Sequence, residues 1–82
     1  MKPDTGQLKA RSTFHDQMAE QFSLNELREI CFDLGVNFES LPGDTIEVKA
    51  MELYSFMERR GDVYRLADVC TRLRPKSNWV IT

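Results

Sequence analysis

One histidine, two cysteines, one tryptophan and no long apolar run mark out an 82-residue chain poor in the groups that most chemistry needs. The histidine, His15, stands among Phe14, Asp16 and Gln17 with no nucleophile nearby in sequence, so it reads as a surface or cap-proximal residue of a first helix. Cys31 and Cys70 lie far apart, match neither C-x-x-C nor a zinc spacing, and fall at apolar helical positions. They read as reduced core residues. None of G-x-x-x-x-G-K-[ST], G-x-G-x-x-G or G-x-S-x-G occurs, which removes support for phosphate cradles and nucleophile elbows. No stretch approaches the roughly 20 apolar residues that cross a bilayer, and the opening MKPDTGQLKA has no signal-peptide core. The expectation is therefore a cytoplasmic domain that is not an enzyme, with no cofactor, metal, small-molecule substrate or membrane attachment.

What is present is a well-punctuated helical pattern. A composition of 41% hydrophobic and 29% charged residues suits a globular protein. A chain of this size hides only about 60 to 65% of its extended surface, so its core is one thin layer. Residues 1–11 read as a leader or linker, 12–75 as the helical domain, and 76–82 as an exit linker or tail whose Trp79, Val80 and Ile81 are able to dock on the bundle. Phe14, Met18 and Phe22 make one stripe of a short first helix. Ser23 and Glu26 form a capping box that starts a second helix at Leu24, with Leu24, Leu27, Ile30, Cys31 and Leu34 inward and Gly35 ending it.

The connector that follows reads as a pinned corner. Val36, Phe38 and Leu41 turn into the core, Leu41-Pro42-Gly43-Asp44 makes a turn, and residues 37 to 41 have room for a single-turn helix. Asp44 then caps a third helix whose inward stripe is Ile46, Ala50, Leu53, Tyr54 and Met57. Asp62 caps a fourth, with Val63, Leu66, Ala67, Cys70 and Leu73 inward and Pro75 at its end. The predicted fold class is all-α, a compact bundle of four to six short helices.

Two patterns go beyond what a core requires. Charge is sorted: residues 16–58 hold ten acids against Arg28 and Lys49, a formal −8, whereas 59–76 hold six bases against Asp62 and Asp68, a formal +4. Glu26, Glu29 and Asp33 share one side of the second helix, a solvated acidic face rather than a metal site because no histidine joins them. Arg59, Arg60, Arg65 and Arg72 supply the opposite face, and heterologous contact between such faces builds chains or rings. In addition, Phe32, Val48, Met51 and Phe56 lie off the inward stripes, and any that are exposed are natural anchors at a protein interface. The rival expectation is a small helix-turn-helix nucleic-acid binder using the arginines of the fourth helix. The −8 region opposes it by repelling phosphates.

The stretch from Leu24 to Pro75 resembles the effector-associated domains of bacterial conflict, or anti-phage defence, systems. The likeness rests on LNELREICFDLGVNFESLPGDT, on KAMELYSFMERRGDV and on RLRP. Within these are an F-x-L-G-V turn at Phe32 to Val36, the Leu-Pro-Gly at Leu41 to Gly43, a K-A-x-x-L helix at Lys49 to Leu53, and Arg-Arg-Gly at Arg59 to Gly61. Met51 replaces an expected basic residue and Phe38 a common tyrosine. The resemblance implies a death-like helical adaptor with no catalytic residues. It also implies a protein partner, a matching effector-associated domain on the same or a linked defence protein, with homo-oligomers possible and no nucleic acid.

Overall fold

The computed structural model describes residues 14–79; the expected leader, 1–11, lies outside them, as do Val80 and Ile81. Helices α1 (Phe14–Gln21), α2 (Leu24–Leu34), α3 (Ile46–Arg59) and α4 (Val63–Leu73), with a 3-10 turn at Phe38–Ser40, make an all-helical bundle. Among the described residues no helix is long and apolar enough to cross a membrane. The capping box is formed as expected: Glu26 N–H donates to Ser23 Oγ at 3.2 Å, and Ser23 N–H donates to Glu26 Oε1 at 2.9 Å. Gly35 ends α2 in the left-handed region at φ 74°, with Val36 N–H reaching back to the Cys31 carbonyl at 2.8 Å. That is a Schellman closure, and it turns Val36 into the core.

Three details of the sequence reading are corrected. Thr45, not Asp44, caps α3, its hydroxyl accepting from Val48 N–H at 3.3 Å. Asp62 holds the N-cap position of α4 as expected but makes no side-chain cap hydrogen bond, and its carboxylate lies 3.8 Å from both Arg60 and Arg65. Leu24 and Leu73, in phase with the inward stripes, are 39% and 43% exposed, while Val69 is buried in their stead. Both leucines are terminal residues of their helices. Burial requires a neighbour at the same height along the axis as well as the correct angle around it.

The layers follow from the stripes. The helix α1 packs on α3, while α2 and α4 pack on each other and on α3. At eight residues α1 is too short to be stable alone, so its helicity depends on burying Phe14 and Met18. Trp79 completes that layer from the chain's far end. Its indole lies 5.1 Å from the Phe14 ring and stacks on Phe22 at 5.7 Å, and its Nε1 donates to the Arg74 carbonyl at 3.1 Å. Gln17 Nε2 donates to the Asn78 carbonyl at 2.9 Å and Ser77 Oγ donates to Gln21 Oε1, so residues 77–79 form part of the folded unit. Both cysteines are buried thiols, pushed up to about 11 at Cys31 and about 12 at Cys70 by desolvation. They stay protonated and unreactive in the native state.

The corner is held by a buried lysine. Lys49, 8% exposed, donates from Nζ to the carbonyls of Leu41 at 2.6 Å and Phe38 at 3.1 Å, and sits 4.5 Å from the Phe38 ring centroid. Its three donors thereby have two carbonyls and one aromatic face. Gly43, at φ 94°, lies against Val48, and a Cβ there would run into the Val48 side chain. A second tie closes the other end: Arg74 Nη2 donates to Glu26 Oε2 at 2.7 Å and to the Gln21 carbonyl at 3.1 Å. The hydrogen bond from Arg74, then that from Ser23, holds the Glu26 carboxyl below the ordinary glutamate range.

Three outcomes test these ties. Gly43→Ala should cost about 2 kcal/mol or more in urea unfolding, and Gly35→Ala, whose added Cβ meets open space, about 1 kcal/mol. Lys49→Met should cost about 1 to 3 kcal/mol, since it leaves the buried Leu41 carbonyl without its donor and the Phe38 carbonyl with the Leu41 N–H alone. Because the Glu26 value is depressed on folding, its stabilisation is present above the unfolded value of about 4.3 and is lost as pH falls through the folded one. Wild type should therefore exceed Glu26→Gln in stability at pH 7, with the gap narrowing as pH falls through the folded value.

Candidate interaction surface

The residues that sequence reasoning placed at an interface are not equally free. Glu26 is committed within the fold, to its own helix cap and to Arg74. Arg60 lies 3.8 Å from Asp62 and 5.4 Å from the Phe56 centroid. Arg65 shares Asp62 at 3.8 Å, and Arg72 pairs with Asp68 one turn back at 3.9 Å. Such exposed pairs contribute only about 0 to 1 kcal/mol each, yet each reduces the local field that a partner meets. By contrast Glu29, Asp33 and Arg59 are exposed and have no ion pair or side-chain hydrogen bond among the described residues.

The apolar candidates divide as well. Phe32 is 84% exposed and Met51 is 39% exposed, whereas Phe56 is half-buried and packs against the core. Tyr64, 75% exposed on α4, was not singled out in the sequence because its neighbours there fall on a plausible inward stripe.

Phe32 and Phe56 each line a hollow beside the corner. Phe32 borders a shallow depression with Arg28, Val36, Asn37, Phe38 and Glu39. A groove of about 350 Å³ shares Val36 and Asn37 with it and has apolar walls at Val36, Leu41, Pro42 and Phe56 and charges at Glu52 and Arg59. Arg28 braces the depression, its guanidinium 4.5 Å from the Phe38 centroid and 2.5 Å from Glu39 Oε2. The groove was not foreseen from the sequence, because it exists only where α3 passes beside the corner.

His15 is half-buried near the start of α1, its ring 6.1 Å from that of Tyr54 and its Nδ1 3.5 Å from Asp16. Among the described residues no group of three His, Cys, Asp or Glu side chains is placed to hold a metal ion. Burial is the main reason that the Tyr54 hydroxyl is pushed above its ordinary value, with Glu58 adding to it. The surface presents a protruding aromatic at Phe32, an apolar groove, and unpaired charges at Glu29, Asp33 and Arg59.

Comparison with known proteins finds no matching curated protein and no matching solved structure. It does find a family: the model for effector-associated domain 7 matches residues 14–75. The match begins at the first residue of α1 and ends just after α4, so it spans the bundle, the corner and the K-A-x-x-L helix that supplies Lys49. The chain belongs to the effector-associated domain 7 family.

Proposed function

We propose that this domain is a cytoplasmic protein–protein adaptor with a death-like helical fold. It recruits or clusters a bacterial defence effector through like-with-like contacts with a matching effector-associated domain. The observation that carries this reading is the set of unpaired, exposed charges of both signs, Glu29 and Asp33 on α2 and Arg59 at the end of α3, beside an exposed aromatic. Charge of this kind sets orientation and encounter rate, and the aromatic supplies most of the affinity. The other arginines proposed for the interface, Arg60, Arg65 and Arg72, extend the basic side, with Met51 as a lesser apolar contact. Because Arg65, Arg72 and Arg74 each face a carboxylate, a phosphate backbone gains little from them, which weighs against the nucleic-acid reading.

Binding of the immobilised chain to itself and to a matching domain, measured at about 0.05 and 0.5 M salt, tests the proposal. Raising salt shortens the Debye length from about 14 to about 4 Å and should slow association. Arg59→Glu should weaken binding by about threefold to tenfold, and Glu29→Lys with Asp33→Lys on the other partner should restore part of the loss. Association that is indifferent to salt and to Arg59→Glu defeats the charge assignment. No binding to either partner at about 1 mM, where a contact worth about 4 kcal/mol is half occupied, defeats the adaptor reading itself.

A further inference from the structure

Phe32 and the groove belong together. Phe32 is the most exposed of the large apolar side chains described, and it stands on α2 between Glu29 and Asp33 in the turn before Gly35. The groove, about 350 Å³ and walled by Val36, Leu41, Pro42 and Phe56, is of a size that admits an aromatic ring and carries Arg59 at its edge. Glu29 and Asp33, unpaired acids on the same helix, adjoin the protrusion in sequence, and the groove carries the unpaired base Arg59. Both features are rigid before any contact, because Gly35 closes α2 and Lys49 fixes the corner, so little ordering is needed on association.

Resting on the adaptor reading, we infer that the occupant of this groove is Phe32 of a second copy of the chain, exchanged reciprocally in a closed two-fold pair. The proposed symmetry rests on proximity. Phe32 and the groove both adjoin Val36 and Asn37. A two-fold axis passing beside these residues would seat the Phe32 of each copy in the groove of the other. A third copy would need the space already filled, so the contact closes at two instead of propagating. Each seat also sets Asp33 and Glu29 of one copy near Arg59 of the other. Acidic-to-basic matching is then satisfied twice without an open chain.

Sedimentation of the 82-residue chain over a concentration series tests this. Wild type should pass from monomer to dimer and stop there. Phe32→Ala, which removes both protruding rings, should weaken dimerisation by about 100-fold, as expected for a buried aromatic anchor. Ser40→Trp, at an exposed position lining the groove, should block it to a similar degree while leaving the melting temperature within a few degrees of wild type. An equimolar mixture of the two variants should form hetero-pairs with one working seat, weaker than wild type and stronger than either variant alone. Wild-type growth past two, or dimerisation unchanged in both variants, overturns the inference. If association survives both substitutions and is lost in Arg59→Glu, the adaptor reading stands and this contact falls. If the chain associates neither with itself nor with a matching domain, both fall.

Discussion

The Lys49 ammonium is the constraint on which the rest of the surface depends. A charge 8% exposed is costly to bury, and it is tolerated here because the 3-10 turn directs two carbonyls at it and Phe38 places a ring beside it. The lysine is anchored on α3, and the groups it holds lie on the connector from α2. A single side chain thus fixes where α2 points relative to α3. Phe38 is shared: Arg28 from α2 lies against the ring as well, so both helices grip the same aromatic. The K-A-x-x-L and Leu-Pro-Gly segments of the family pattern are the two halves of this contact.

Charge in this domain serves two purposes that the net value of −2 does not separate. Part of it closes the fold on itself. Arg74 joins the end of α4 to the start of α2 through Glu26 and, by covering Phe22 at 4.9 Å, to the end of α1. Further surface pairs join Arg28 to Glu39, Arg60 and Arg65 to Asp62, and Arg72 to Asp68. Glu29, Asp33 and Arg59 face outward and have no such partner among the described residues. Lys49, counted with the acidic stretch by sequence, is buried, so Arg28 is the exposed base of residues 16–58.

The tail shows how a thin core is extended. With α1 only eight residues long, the layer it forms with α3 would leave Phe14 and Phe22 partly uncovered. Trp79 covers both, and Ser77 and Asn78 bond to Gln21 and Gln17 beneath it. The residues after Pro75 lie beyond the family match yet take part in the packing of the described structure. Trp79 therefore lies on the α1 side of the bundle, on a segment tied at several points.

The sequence by itself determined the helices, their order and most of their inward faces, because these rest on local rules. A capping box at Ser23 and Glu26, a left-handed glycine at Gly35 and apolar residues at helical spacing act within a few residues of one another. The sequence also held an unused sign of the corner's lock: Lys49 sits three residues after Ile46 and four before Leu53, on the inward stripe, where a charge has no place without a buried partner. Tertiary structure alone decided what that lysine binds, which arginines are spent on internal carboxylates, and which in-phase leucines remain half exposed. It also created the groove, whose walls come from the corner and from α3. Those outcomes depend on how far one helix slides along another and on which ends meet, and neither is encoded in the spacing of residues along a single helix.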